Sequence, residues 1–154
     1  MKSINRYLAS ALLAGGLLGT PLVASAEITG NVALTSDYMW RGMSQTLDDP
    51  AIQGGLDYAH DSGFYLGLWG SNVDFGEGDS ADMEFDVYGG FGGEFGGGVG
   101  FDVGLIYYVY PGTSPGNDYD WVEFYGSLSY SYFTFAINYS GDVFNSDEDG
   151  LYLN

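Results

Sequence analysis

The chain has 154 residues, no cysteine, and a net charge of −18 that arises from 21 acidic and three basic residues. This acidity excludes nucleic acid as a natural partner, because phosphate binding requires a basic surface. The lack of cysteine excludes disulfides, thiolate metal sites and a cysteine nucleophile. The 14 Tyr, 10 Phe and 3 Trp residues argue against disorder, which such acidity would otherwise suggest. We therefore expect a folded chain.

The first 26 residues have the three-part pattern of a secretory signal. Its apolar part is shorter than the roughly 20 residues that a membrane-spanning helix needs, which disfavours an uncleaved anchor. We therefore predict a signal peptide over residues 1–26 and an exported domain over residues 27–154. All 21 acidic residues fall in that domain, with Arg41 as its single basic residue and a net charge of −20. The three parts of the signal are Lys2 with Arg6, the apolar stretch 8–18, and the small residues Ala24, Ser25 and Ala26.

The exported part alternates apolar and polar residues with a period of two, which is typical of β-strands. The pattern is clearest in residues 82–91, where Met83, Phe85 and Val87 alternate with acidic residues. No window keeps a helical period, and 26 glycines are too many for helices. The sequence therefore predicts an all-β protein. The predicted strands cover residues 28–40, 51–60, 64–71, 82–91, 99–110, 121–130 and 132–140, and an eighth begins at 151.

Three features favour an antiparallel, up-and-down transmembrane β-barrel over a soluble β-sandwich. Several strands have the length of about 9–11 residues that crosses a bilayer. Short turns alternate with longer, acidic connections, and a Gly-rich connection of intermediate length covers residues 92–98. Aromatic residues gather at strand ends, as membrane-interface girdles do. A soluble sandwich that binds a ligand through its loops is the less favoured alternative. The strand-end aromatics are Tyr38, Trp40, Tyr58, Tyr107, Tyr110, Tyr119, Trp121, Tyr130 and Tyr139.

Short motifs spread along the chain also carry a family resemblance. They are residues 31–38 with Arg41, Gly42, Ser44 and Gln45; residues 51–58; residues 63–67 with 69–72; Glu84, Asp86, Tyr88 and Gly90; residues 107–111; and Asp118, Tyr119 and Glu123. In these motifs the chain resembles the TorF-type porin family of proteobacterial outer-membrane barrels. The resemblance implies an outer-membrane location and the pore formation inferred for that family. It also implies a longer chain, so we expect residues 27–154 to be a partial barrel that lacks its closing strands.

The polar face of the predicted strands is the candidate lining of a barrel interior or rim. Charge of one sign on a low-dielectric wall enriches counterions, as rings of Asp and Glu do in cation channels. This predicts passive diffusion of small polar solutes or ions, with a preference for cations. Any barrel interior is polar, however, so one alternative is that these residues are solvated interior or rim residues that set no selectivity. A second alternative is a non-conducting structural or adhesive barrel. The candidate lining residues are Asp37, Arg41, Asp57, Asp82, Glu84, Asp86, Asp102 and Glu123.

Arg41 is predicted to end the first strand at the barrel mouth and to pair with a carboxylate. The favoured hypothesis is that it pins the first outer loop to a neighbouring strand. The alternative is that it forms half of a transverse field at a constriction.

Other candidate sites are weak. Residues 145–150 resemble the start of a calcium loop, but Asn145 replaces the usual Asp, which favours an acidic outer loop that divalent ions bridge to lipopolysaccharide. His60 stands alone, without partners for metal binding or proton transfer. No enzyme activity, cofactor or metal is therefore predicted. The expected partners are outer-membrane lipid, lipopolysaccharide and small solutes or cations, and the sequence predicts no oligomeric state.

Overall fold

The computed structural model describes residues 26–78, 80–113 and 118–154, which form an all-β protein. The predicted signal peptide lies outside the described residues, except for Ala26. In the described part, no helix is long and apolar enough to cross a membrane. A 3-10 turn covers Val143–Asn145. The strands are β1 (Glu27–Thr35), β2 (Met39–Trp40), β3 (Met43–Ser44), β4 (Ala51–Ala59), β5 (Phe64–Asn72), β6 (Met83–Phe95), β7 (Val99–Val109), β8 (Trp121–Tyr130), β9 (Phe133–Ser140) and β10 (Gly150–Leu153).

Eight of these strands form one antiparallel sheet in the order β1-β4-β5-β6-β7-β8-β9-β10. Strands β2 and β3 form a separate small hairpin within the first long connection. The main sheet is therefore an up-and-down meander, which confirms the prediction of an all-β antiparallel fold. It is not closed into a barrel, because β1 and β10 are its two edges.

Connections alternate in length, as predicted. Three short turns, residues 60–63, 96–98 and 131–132, lie at one end of the sheet, which we call the turn end. The other end, the loop end, carries the longer connections 36–50, 73–82, 110–120 and 141–149. The Gly-rich connection is shorter than predicted, because β6 extends to Phe95 and the positive φ angles of Gly97 and Gly98 allow a tight turn.

The first strand also differs from the prediction, since β1 ends at Thr35 and not at Trp40. The Thr35 hydroxyl donates to the carbonyl oxygen of Asp37 (2.7 Å) and accepts from the Asp37 N–H (3.5 Å). This local turn competes with the strand ladder and redirects the chain. As a result, Tyr38 leaves the apolar side on which alternation placed it and is buried against the polar face.

The two faces of the sheet reverse the arrangement of a soluble protein. The apolar face exposes its large aliphatic and aromatic side chains, and Phe124 is 59% exposed. The polar face is the buried one, and Glu84 on β6 is only 1% exposed. The alternation of the sequence is thus preserved, but its apolar half points away from the rest of the molecule. The exposed set includes Ile28, Val32, Leu34, Ile52, Leu56, Leu66, Leu68, Phe85, Val87, Val103, Leu105, Leu128 and Phe135.

The strand-end aromatics divide between the two faces. Tyr107, Tyr130 and Tyr139 are exposed on the apolar side, where a girdle would place them. Tyr38, Tyr110 and Trp121 are buried instead in an aromatic cluster at the loop end of the polar face. The girdle prediction is therefore wrong for this second group, because strand-end position alone does not specify which face a side chain joins.

Candidate functional site on the polar face

The first long connection, residues 36–50, lies against the polar face, and we call it the inner loop. Hydrogen bonds within the loop set its shape. The Asp37 carboxylate accepts hydrogen bonds from the hydroxyls of Ser44 (2.7 Å) and Thr46 (3.1 Å), and the Thr46 hydroxyl accepts from the Tyr38 N–H (3.2 Å). Gln45 and Thr46 are buried as a result. Asp37, predicted to line the interior, therefore organises this loop.

Arg41 at the tip of the inner loop pairs with a carboxylate, as predicted. Its Nη2 atom lies 2.7 Å from Glu123 Oε1 on β8, which is the one ion pair within the described residues. The guanidinium carbon also lies 4.3 Å from the ring centroid of Trp40 and 4.5 Å from that of Tyr152 on β10. Arg41 does not end the first strand, however. It occupies a tight turn with φ +48°, followed by Gly42 at φ +86°.

A second anchor joins the inner loop to β6. The Tyr38 hydroxyl donates to Glu84 Oε1 at 3.1 Å, and the Tyr38 ring meets the Trp69 ring edge-on at 5.3 Å. Burial raises the pKa of the Tyr38 hydroxyl, and the negative charge of Glu84 raises it further, so the phenol keeps the proton that it donates. The carboxylate of Glu84 is consequently hydrogen bonded beneath the loop.

Two loops meet at the aromatic cluster of the loop end. Trp121 on β8 stacks on Tyr108 of β7 at 4.3 Å, and the Trp40 ring of the inner loop meets Trp121 edge-on at 6.1 Å. Phe144, in the last long connection, lies 6.0 Å from Trp40 and 5.6 Å from Trp121. The inner loop is thus packed between two strands of the sheet and a second loop.

Toward the turn end, tyrosine rings lie flat over glycines of the neighbouring strand. Asp57, Gly67 and Tyr88 share one row of the register across β4, β5 and β6. A Cβ added at Gly67 would clash with the ring and hydroxyl of Tyr88, which shows how closely the ring covers the backbone. The Tyr88 hydroxyl passes over β5 and donates to Asp57. The glycine therefore makes room for a hydrogen bond between strands that are not neighbours.

A second row repeats this arrangement with two rings. Tyr65, Gly90, Gly104 and Tyr125 lie in register across β5, β6, β7 and β8. The two rings approach each other over the two glycines, and their hydroxyls are hydrogen bonded to one another. The Tyr65 hydroxyl also donates to Asp102 at 2.8 Å. Asp102 is thus held by the row and remains half-buried.

Of the acidic residues predicted on the polar face, Asp37, Asp57 and Asp102 accept the hydroxyl hydrogen bonds described above, and the other four fall into three environments. Glu84 and Glu123 are buried and have partners, as described above. Asp86 is half-buried, and its Oδ1 atom has no hydrogen-bond partner in the part of the chain that the structure describes. Asp82 is exposed and precedes β6, so it does not join Glu84 and Asp86 as the alternation predicted.

Sequence reasoning missed the tyrosines that hold these carboxylates. Tyr65, Tyr88 and Tyr125 alternate with the apolar residues of their strands and therefore belong to the polar face. The available signal was that glycines stand directly opposite them once the strands are paired. Among the described residues, no group of three or more His, Asp or Glu side chains is placed to hold a metal ion.

These features define a class of protein: an all-β chain with one meander sheet, a carboxylate-rich buried face and an exposed apolar face. The profile of a bacterial protein family of unknown function, Gcw_chp, matches residues 22–154, and the chain belongs to this family. No curated protein matches the sequence. No solved structure matches it either.

Proposed function

We propose that this chain belongs to an outer-membrane β-barrel that passes small polar solutes, with a preference for cations. The observation that carries the proposal is the inverted sheet. Its exposed face is almost continuously apolar, and large exposed apolar surfaces mark interaction with a membrane or another protein. Transmembrane barrels have this alternation, with apolar residues toward lipid and polar residues toward the interior.

Strand lengths and connections support the membrane location. Strands β4 to β8 have 9 to 13 residues, which is enough to cross a bilayer at the usual tilt. Short turns at one end and long loops at the other match the periplasmic and outer sides of such barrels. The secretory signal pattern of residues 1–26 and the resemblance to TorF-type porins agree with export to the outer membrane.

The charges of the polar face support a preference for cations. Glu84, Asp86 and Glu123 lie on this face near the loop end, with Arg41 as their only basic neighbour among the described residues. A buried carboxylate without a counter-charge is costly, so the interior favours an additional positive ion or proton. An anion would be repelled by the negative potential of these carboxylates. The acidic outer loops would likewise attract divalent ions toward lipopolysaccharide.

One alternative is supported by a specific observation. The inner loop covers part of the polar face, which would also suit a non-conducting structural or adhesive barrel. A soluble sandwich is disfavoured, because no second sheet covers the apolar face within the residues described.

The first experiment is fractionation of the natural full-length protein, which should be recovered with outer membranes and require detergent for extraction. Planar-bilayer reversal potentials under a salt gradient then test selectivity, and we expect cation preference that decreases as salt screens the interior. Asp86→Asn should reduce the preference, whereas the matched control Asp82→Asn, at an exposed position outside β6, should leave it unchanged. Recovery as a soluble protein would contradict the membrane location. Anion selectivity, or no conductance from folded protein, would contradict the cation pore.

A further inference from the structure

We propose that the inner loop, residues 36–50, is a movable plug over the polar face and that Arg41 is the positioning residue that latches it. The effect of the loop on conduction rests on the proposed function, but the position of the loop can be measured whether or not the protein forms a pore.

The inner loop is built to move as a unit. Its own hydrogen bonds, from Ser44 and Thr46 to Asp37 and from the Gln45 N–H to the Tyr38 carbonyl oxygen (2.7 Å), hold its shape independently of the sheet. Both ends of the loop continue into β1 and β4, which remain paired with each other across nine residues. Displacing the loop therefore leaves the ladder of the sheet intact.

Three polar contacts hold the loop against the sheet, in addition to the ring contacts of Tyr38 with Trp69 and of Trp40 with Trp121. Tyr38 reaches Glu84, the Gln45 carbonyl oxygen accepts from the Asp74 N–H (2.8 Å), and Arg41 reaches Glu123. Of these anchors, the Arg41 pair alone joins opposite charges. It connects the loop to β8, whereas Tyr38 and Gln45 attach it to the side of β5 and β6. Losing the Arg41 pair would leave the tip of the loop held on the β8 side by the contacts of the Trp40 ring with Trp121 and Phe144.

The burial of Glu123 makes the closed position of the loop depend on Arg41. The Glu123 side chain is 3% exposed and the Arg41 side chain 18%, so the pair is largely shielded from water. Without Arg41, the closed loop would bury the Glu123 carboxylate without a counter-charge and with the Tyr108 hydroxyl as its remaining donor (3.4 Å), which is strongly unfavourable. Opening the loop would hydrate Glu123 and remove this cost. The occupancy of the closed position should therefore depend on the ion pair.

The absence of cysteine allows a clean accessibility test on the full-length chain. A single Gln45→Cys substitution places a thiol within the loop itself, at a position that is 5% exposed when the loop is closed. Reaction with a charged maleimide should be slow with Arg41 present and about tenfold faster or more with Arg41→Gln, because an unpaired buried charge costs at least as much as a tenfold change in the opening equilibrium. Glu123→Gln should also increase the rate, because it removes the ion pair and leaves the largely shielded Arg41 guanidinium without its counter-charge. Leu47→Cys, at a position 55% exposed, is the matched control whose rate should not change.

Equal labelling of Gln45→Cys with Arg41, with Arg41→Gln and with Glu123→Gln would overturn the latch. Rates that rise in parallel at Leu47→Cys would also overturn it, because they would indicate a general change in thiol reactivity and not an opening of the loop. Faster labelling at Gln45→Cys alone, accompanied by higher single-channel conductance, would support both the latch and the pore. The same labelling result without any conductance would support the latch and refute the proposed pore.

Discussion

Substitution of Leu105 by arginine tests whether the apolar face lies in lipid. Leu105 is at the middle of β7 and is 44% exposed, and it pairs with Phe124 on β8. On a surface facing water, such a substitution would change stability by less than about 0.5 kcal/mol. At the midplane of a bilayer, arginine on the outside of a barrel costs about 2–4 kcal/mol. The two environments therefore predict different results from the same substitution.

Val122 provides a matched control on the same face. It pairs with Tyr107 and lies two residues nearer the loop end than Phe124, which is a displacement of about 7 Å along the strand. The cost of arginine falls to about 0–1 kcal/mol near the interface. We therefore expect Val122→Arg to destabilise the protein clearly less than Leu105→Arg.

The free energy of unfolding can be measured by denaturant titration of the full-length protein in lipid vesicles, with tryptophan fluorescence as the probe. A change in midpoint at constant slope reports stability, whereas a changed slope reports a different folded or unfolded state. If both substitutions cost less than about 0.5 kcal/mol, the apolar face is not in lipid. If Leu105→Arg and Val122→Arg lower the free energy of unfolding by the same amount, the loss of stability does not come from depth in a bilayer.

Further predictions concern the tyrosine rows and the sheet edges. Gly67→Ala should displace the Tyr88 ring and cost about 1–3 kcal/mol by overpacking, and a double-mutant cycle with Tyr88→Ala should show strong coupling. Tyr88→Phe should cost about 1–3 kcal/mol in the same titration, because Asp57 loses its donor, and no loss would mean that water replaces the hydroxyl. Residues 27–154 alone should not form a heat-resistant barrel, because β1 and β10 are open edges. A species that migrates differently before and after boiling would contradict this.

The strands of the main sheet could be predicted because their side chains alternate strictly, and the turns between them contain residues that favour turns. The end of β1 could not, because alternation continues through Trp40 while the turn depends on one hydroxyl, that of Thr35. The end of β6 was also predicted too early. Alternation is clear only up to Phe91, whereas the glycine-rich residues up to Phe95 continue to pair with β7. The ends of these two strands therefore depend on local hydrogen bonds and on strand register, which periodicity does not specify.

The candidate site was predictable as a set of charges but not as a set of contacts. Period two assigned Glu84 and Glu123 to the polar face, and both lie there. Their partners come from a loop 82 residues before Glu123 in one case and 46 residues before Glu84 in the other. Such long-range pairs cannot be read from spacing in a single sequence. The single basic residue was the exception, because a lone Arg41 among many carboxylates pairs with one of them almost wherever it lies.

The tyrosines that lie over glycines have a consequence for the free cross-section of a barrel. A ring that rests on bare backbone occupies a thin layer along the wall and does not project toward the axis. Alanine at Gly67, Gly90 or Gly104 would lift the ring by roughly the thickness of a methyl group and tilt its hydroxyl inward. In the proposed barrel, each glycine would thus set the width of the passage at its own height. That width would be encoded by residues that themselves contribute no side chain to the lining.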